Sequence, residues 1–445
     1  MHNINLYFRL KKFKLSNVRA LQLFQLIRYG SLFLIGILFS KSDFGQTNIG
    51  QYETFTLLAG AFTFFWVNGF LKVMMPLSAG KSEDEQKVLI FNSALLIMFF
   101  SVLAAILSFS LSTPFSSILL NGNQMPMPLV LSGYILFNSP SLIIEYIYLI
   151  NNKPKKTVAY GTIVFGLQIV TVGLPPFLGY GLNVVLLALL AISVLKFIWM
   201  IIVLLQYAKI KIDRTIIREY LSTGTPLVIS TLLGSSASYI DGFIVTSKFS
   251  PDELAIFKYG AKELPLALLL ANSLNMAMLP KLAVKDMRKA LSEFRSEVYR
   301  LHWALVPLTV VLIFSSHWLF PIIFNPKFQE SASIFNITLM LVISRLLFPQ
   351  TLLTAQKETR VQVWASLFEI IINVITSIWL SSKIGITGIA YGTFIAYLFE
   401  KIFLMVACKK KLKIGPAEYL PLKTYFISTL LLAATFIFVE FVIMK

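Results

Sequence analysis

Cys408 is the only cysteine among 445 residues, so no disulfide framework holds this chain and no thiol pair is available for metal or redox chemistry. Histidine is nearly as scarce: His2, His302 and His317 form no catalytic or metal-binding spacing. The chain has no glycine-rich phosphate loop of the Walker type, which argues against ATP-driven work within it. Charged residues make up only 13% of the sequence, with 21 acidic positions against 39 Lys and Arg. Long polar stretches are missing too, so no segment could form a sizeable soluble catalytic domain. The longest loop expected opposite the basic loops, about 112 to 125, holds no acid or base, which argues against an enzyme.

Apolar residues fill the space that polar ones leave. They are 57% of the chain, with a mean hydropathy of +0.76, more than a soluble core can hide. A spanning helix needs roughly 20 apolar residues, so this length has room for about a dozen crossings. Apolar runs bounded by charged, Gly, Pro or Asn clusters predict spans near 20–40, 52–77, 88–112, 126–150, 157–178 and 182–205. A second set follows near 222–247, 253–279, 300–323, 331–355, 361–381 and 387–407, with a thirteenth near 423–443.

The basic residues test that division, because alternate loops should be rich and poor in Lys and Arg. One side receives Arg9, Lys11, Lys12, Lys14 and Arg19, then Lys81 and Lys87, Lys153 to Lys156, and Lys209 to Arg218. Lys281 to Arg300, Lys357 with Arg360, and Lys409 to Lys413 continue the series. About 26 basic residues fall on that side, against about four (Lys41, Lys248, Lys327 and Lys383) on the other, so the amino terminus is expected in the cytoplasm. The net charge of +18 is accounted for in this way, without nucleic acid. The first 19 residues are basic and mixed and show no cleavage site, so the first span is expected to act as the targeting signal.

Sliding the chain by about 204 residues brings Pro76 onto Pro280, Lys81 onto Lys285, Lys153 onto Lys357, Lys156 onto Arg360 and Gly181 onto Gly385. Gly30 falls on Gly224 at a shorter offset of about 194. Six spans per copy is even, so the repeat is parallel. The expectation is an all-α polytopic membrane protein of about 12 to 13 helices, in two parallel-repeat six-helix lobes around a central cavity. Its boundaries are a basic segment 1–19, lobes 20–205 and 222–407 joined by a linker 206–221, and a basic loop with one more helix over 408–445. Repeat-built transporters bind substrate between their lobes and work by rocking one against the other.

Ionisable groups at span depth are costly and usually face an interior or a watery cavity. Arg28 lies about 12 Å into its span at 1.5 Å per residue, too deep to reach the interface easily. Lys258 and Lys262, four apart, share one helical face and can address one anion or Asp241 across the hairpin, and Glu263 can balance one of them. Arg345 and Glu369 both fall near mid-membrane, where an interhelical ion pair is available, with Asn373 one turn on. For each of these the bland alternative is a structural ion pair. Lys72, Lys196, Glu145, Glu400, Lys401 and Glu440 read as snorkelling, interfacial or packing residues. Pro140, Pro226, Pro265, Pro307 and Pro349 are expected to kink helices.

Several stretches resemble the polysaccharide flippases of the multidrug/oligosaccharidyl-lipid/polysaccharide exporter superfamily. They are Arg28-Tyr-Gly-Ser, Ile49-Gly-Gln-Tyr-Glu53, Trp66-Val-Asn-Gly69, Gly224-Thr-Pro226, Tyr239-Ile-Asp-Gly242, Phe257-Lys-Tyr-Gly-Ala-Lys-Glu-Leu-Pro265 and Gly385-Ile-Thr-Gly-Ile-Ala390. The resemblance covers most of the chain. It implies two six-helix lobes in a V that open alternately, with a cationic cavity for the pyrophosphate-sugar headgroup of an undecaprenyl-diphosphate-linked oligosaccharide (O-antigen, capsule or exopolysaccharide unit) in the bacterial inner membrane. Arg28, Lys258, Lys262 and Arg345 are then the expected headgroup ligands, since cations and guanidinium above all suit a diphosphate. Asp241, Glu263, Glu369 and Asn373 remain as coupling or ion-pair candidates, for a proton or a sodium ion. No cofactor or metal is expected; the expected partners are the glycolipid, the bilayer and a polysaccharide polymerase or chain-length machinery. A cation-coupled multidrug exporter, a peptidoglycan-precursor flippase and a non-transporting assembly subunit stay open as alternatives.

Overall fold

A computed structural model describes residues 16–263, 265–283 and 288–443. The expectations resting on His2, on the basic segment with Arg9, Lys11, Lys12 and Lys14, and on Leu264 and Lys285 lie outside those residues. Among the described residues every regular element is a helix.

In the first half these are α1 (Asn17–Lys41), α2 (Gln46–Ser78), α3 (Glu83–Ser110), the short α4 (Ser112–Leu119), α5 (Pro128–Ser141), α6 (Ile143–Ile150), α7 (Pro154–Gln168) and α8 (Leu182–Tyr207). In the second half come α9 (Arg214–Ser235), α10 (Ala237–Lys248), α11 (Pro251–Gly260), α12 (Pro265–Leu282), α13 (Arg288–Ile323), α14 (Gln329–Leu339), α15 (Leu341–Arg345), α16 (Pro349–Ala355), α17 (Thr359–Ile384) and α18 (Thr387–Ala407). The single turn α19 (Pro416–Tyr419) and α20 (Leu422–Phe438) complete the chain. Helices starting at Glu83, Pro154 and Leu182 recur as those starting at Arg288, Thr359 and Thr387, each 205 residues on.

Local chemistry sets these boundaries. Ser82 with Glu85, and Ser250 with Glu253, form reciprocal capping boxes that satisfy the first amides of α3 and α11. Proline occupies the first turn of α5, α7, α11 and α16, where its missing N–H costs nothing. Asp213 accepts hydrogen bonds from the amides of Thr215 and Ile216, so α9 begins at Arg214 and takes up the second half of the expected linker 206–221.

Ten helices are long and apolar enough to cross a membrane, and up to twelve crossings result if each of two bent pairs counts as one. The protein is therefore a multi-pass membrane protein. The bent pairs are α9 with α10, turning by 51° at Ser236, and the α14–α15 segment with α16, turning by 43°. The second break has a visible cause: Phe348 is fully buried with φ at 51°, and a residue ahead of proline is driven out of helical geometry. Of the prolines expected to kink, Pro140 and Pro349 flank breaks, whereas Pro226 and Pro307 lie inside α9 and α13. The bend of the seventh span comes at the small-residue run ten residues after Pro226. The expected eighth span is divided into α11 and α12, and α12 alone is short of a crossing.

The two lobes meet along α2, whose glycines face α9, α10 and α11. A Cβ on Gly50 would lie 1.8 Å from the Pro251 carbonyl oxygen, one on Gly60 2.7 Å from the Tyr239 ring, and one on Gly69 2.6 Å from the Val228 Cα. From the other side, Gly224 accommodates Phe70 and Gly242 accommodates Leu57. Small residues permit this close backbone approach, which lipid-embedded helices use in place of a hydrophobic driving force. Polar contacts close the seam at both faces. On the basic face Tyr220 Oη donates to the Phe70 carbonyl (2.6 Å), Asn92 donates to the Lys211 carbonyl (2.8 Å), and Lys81 pairs with Glu219 (3.5 Å). On the opposite face Lys41 donates to the Ile322 carbonyl (2.6 Å), Gln46 to the Lys327 carbonyl (3.0 Å) and Asn325 to the Ser40 carbonyl (2.5 Å). Among the described residues α1 and α12 form no comparable seam.

Candidate functional site

Lys258 and Lys262 stand where the lobes meet, one on α11 and one just past its end. Gly242 leaves room for the first: a Cβ there would sit 3.2 Å from Lys258 Nζ. Lys262 Nζ lies 4.7 Å over the Tyr259 ring, whose hydroxyl donates to the Gly36 carbonyl of α1 (3.0 Å). Neither lysine has an ion-pair partner within 4 Å among the described residues. Glu53 of α2 is within electrostatic reach of both, and Asp241 of Lys258. Because α11 ends at Gly260, Lys262 is not on the helical face expected for both lysines, but the two are within electrostatic reach of each other, with one acid from each lobe nearby.

Asp241 itself turns to α17 and α18. Its Oδ2 accepts from Thr393 Oγ1 at 2.7 Å, and Thr393 Oγ1 in turn accepts from Asn373 Nδ2 at 3.0 Å. Among the described residues, Asp241 Oδ1 and Asn373 Oδ1 are buried and have no hydrogen-bond partner. A buried oxygen left unpaired costs desolvation energy, so each of these two atoms lacks a donor that burial would ordinarily require. Thr393 was not singled out by sequence: it is neutral, it is 152 residues from Asp241, and threonine is common in membrane helices.

Arg345 does not meet Glu369 as the sequence suggested. Its Nη2 donates to both oxygens of Glu263 at 2.8 Å, with the guanidinium 5.2 Å over Tyr397. The break after α15 and the division of the eighth span bring these two side chains together, and neither break could be located from apolar runs alone. Glu263 thus balances Arg345, not a lysine, and Arg345 is not a free cation. Glu369 is buried and makes no hydrogen bond to a described residue; the Glu400–Lys401 pair (2.6 Å), Arg345 and Asp241 are within its electrostatic reach.

Arg28 lies apart from the lysines, half-buried in the amino lobe. It lines a small cavity with Glu145, Lys196, Ser141 and Tyr160, and it is within electrostatic reach of Tyr239 across the lobe boundary. Lys196 reaches Asn138 and Gln168, each at 3.4 Å, and lies 5.3 Å from the Phe165 ring centre. Among the described residues, Glu145 Oε2 has no hydrogen-bond partner. Glu145 and Lys196, read from sequence as packing or snorkelling residues, thus share Arg28's cavity. Glu440, by contrast, is held in a packing contact by His317 (2.8 Å) and Asn336 (2.6 Å). Among the described residues no group of three or more His, Cys, Asp or Glu could hold a metal ion.

Comparison with known proteins agrees with this architecture. The lipid II flippase MurJ in an inward closed conformation superposes with a TM-score of 0.69 at 19% identity, over 94% of this chain and 92% of that one. An inward-facing multidrug resistance MATE family transporter gives 0.61 at 10% identity, over 94% and 99%. A transporter of the same superfamily from Pyrococcus furiosus gives 0.52 at 13%, over 89% and 96%. These likenesses concern the fold. Among curated proteins none matches the sequence. The profile of a family described as polysaccharide biosynthesis protein matches residues 34–333. The chain therefore belongs to that family of polysaccharide biosynthesis proteins.

Proposed function

We propose that the protein is a flippase that moves an undecaprenyl-diphosphate-linked oligosaccharide across the bacterial inner membrane by alternating access, its basic loops facing the cytoplasm. The observation that carries this reading is the pair Lys258 and Lys262 at the lobe boundary, without ion-pair partners among the described residues, with Arg28 on the other lobe. Arg345 and Lys401 each have their own carboxylate, so these three cations remain for an anionic headgroup. A diphosphate gains charge-assisted hydrogen bonds from such groups, and rocking the lobes would pass it from one face to the other. That α1 and α12 form no comparable seam among the described residues supports lateral access for a lipid tail, since a substrate with a long polyprenyl chain must keep that chain in the bilayer.

Asp241, Asn373 and Thr393 serve as the coupling site in this reading. The unpaired oxygens of Asp241 and Asn373 suit a sodium ion or a proton on Asp241, and Asp241 is within electrostatic reach of Lys258, so the charge state of one site affects the other. The lipid II flippase likeness and the family's polysaccharide connection support a lipid-linked glycan over a drug.

The test is movement of a fluorescent lipid-diphosphate-oligosaccharide in sealed proteoliposomes, with a cationic dye as competing substrate. Wild-type protein moves the glycolipid, and Lys258→Ala with Lys262→Ala abolishes movement while leaving membrane insertion intact. Dye transport without glycolipid movement would make the protein a multidrug exporter. Glycolipid movement by the double variant would sink the cationic-site proposal.

A further inference from the structure

At the basic face, away from the lobe boundary, the first turns of α13 run alongside the start of α20. Ser292, Arg295, Ser296 and Tyr299 follow one another at helical spacing along one face of α13, and Lys423 and Thr424 of α20 stand opposite, lining one open groove together with Pro421. Arg295 and Lys423 have no ion pair among the described residues. The two carboxylates nearest in sequence are already engaged: Glu293 holds Lys281 at 2.5 Å and Glu297 holds Arg300 at 2.6 Å. The groove thus carries two uncompensated cations and hydroxyl donors on both walls, and none of those hydroxyls makes a hydrogen bond to a described residue.

The walls are fixed by what lies beneath them. Tyr419 and Leu420 are fully buried just ahead of α20, Tyr425 donates to the Ile343 carbonyl at 3.2 Å, and its ring meets His302 at 5.9 Å. Directly along both helices from the groove, the surface becomes apolar and exposed. Trp303 lies one turn beyond Tyr299 at 65% exposure, and Phe426, Ile427 and Leu430 continue from Thr424 at 55–66%. Aromatic side chains at the end of an apolar band mark headgroup depth, and basic pockets between helices at that depth recognise anionic headgroups.

We infer that this groove binds the phosphate of one anionic phospholipid, with its acyl chains lying on the Trp303 and Phe426 surface. Charge complementarity selects the occupant. Arg295 gives a planar donor pair for phosphate oxygens, Lys423 a second cation, and the serine and threonine hydroxyls the remaining donors. The apolar flank requires a phosphate attached to alkyl chains, not free phosphate. Such a lipid would bridge α20 to the carboxy lobe.

The experiment uses full-length protein in nanodiscs of phosphatidylcholine doped with phosphatidylglycerol, reading lipid retention by native mass spectrometry after transfer to detergent. The expected result is preferential retention of one phosphatidylglycerol per protein. Arg295→Gln with Lys423→Gln lowers apparent affinity for that lipid roughly 10- to 30-fold, as removal of two phosphate-facing cations should. Arg300→Gln, on the same helix but paired with Glu297, serves as the matched control and leaves retention unchanged. Equal retention of both lipids by wild type, or an unchanged preference in the double variant, overturns the proposal. Displacement of phosphatidylglycerol by millimolar inorganic phosphate also overturns it, because the site would then recognise the ion and not the lipid. Loss of retention in all variants alike, Arg300→Gln included, would assign the effect to general surface charge and reject the groove.

Discussion

Removing the guanidinium at position 345 would leave the Glu263 carboxylate partly buried with nothing to balance it. Truncating one member of such a pair costs about 3 kcal/mol or more, whereas replacing both by apolar residues of similar volume is close to neutral. Arg345→Met is therefore expected to lower the thermal unfolding temperature in detergent markedly, and Arg345→Met with Glu263→Met to restore most of it; an additive loss in the double variant would show that each residue acts alone. Asp241 differs because one of its oxygens has no hydrogen bond among the described residues. Asp241→Asn keeps the shape and the Thr393 contact but removes the charge, so transport is expected to lose its dependence on sodium or on proton concentration, measured by varying each across the proteoliposome membrane. Wild-type dependence in that variant would remove Asp241 from coupling. The ionisable residues themselves were visible in the sequence, because a charge inside an apolar run stands out. Their partners were not. Arg345 and Glu263 are 82 positions apart on separate broken spans, and Glu369 is nearer to Arg345 in sequence yet not its partner. Thr393 and Glu145 show why counting charges falls short: one is neutral, and the other looked interfacial until the cavity with Arg28 gave it neighbours.

Helix α2 is the element on which the two lobes depend, and its glycines explain why. Pro251 packs its carbonyl against Gly50 so closely that even a methyl group would overlap it, and a backbone atom cannot rotate away as a flexible side chain can. Gly50→Ala is thus expected to push α11 off α2 at the face opposite the basic loops, destabilising the closed arrangement by about 1–3 kcal/mol. Ser31→Ala, on α1, which packs mainly on α7, is the comparison: Ser31 is buried but bonds only the Arg28 carbonyl of its own helix. Differential scanning of both variants checks this, and an unchanged Gly50→Ala melting curve would mean that the seam opens freely. Helix existence was legible from apolar runs, and glycine-containing stretches such as Gly50, Gly69 and Gly224 were already conspicuous. Their role was not, because a glycine reports close approach only once the opposing backbone is known. The expected linker 206–221 was read by its polarity alone. The Asp213 cap starts a helix within it that carries Arg214 and Arg218 on its exposed side.

At the scale of the whole molecule, alternating access requires that contacts closing one face break when that face opens. Lys41, Gln46 and Asn325 tie the end of α1 and the start of α2 to the carboxy lobe through backbone carbonyls, while Tyr220, Asn92 and Lys81 do the same at the basic face. A covalent link across the first set should hold that face shut while leaving the cations at the lobe boundary in place. The single cysteine makes the experiment clean, since Cys408 is buried and its replacement by Ala leaves a background without thiols. Gln46→Cys with Lys327→Cys in that background, joined by a short bifunctional thiol reagent, is expected to retain glycolipid binding but stop transport. Each cysteine alone, treated with the same reagent, should transport normally, and a cleavable linker should restore movement on reduction. If the linked protein still transported, the face carrying Gln46 and Lys327 would not need to open, and rocking of the lobes about the α2 seam would be excluded as the mechanism. If each single variant failed as well, the loss would belong to the substituted side chains and the lock itself would have to be sought in Lys41 and Asn325.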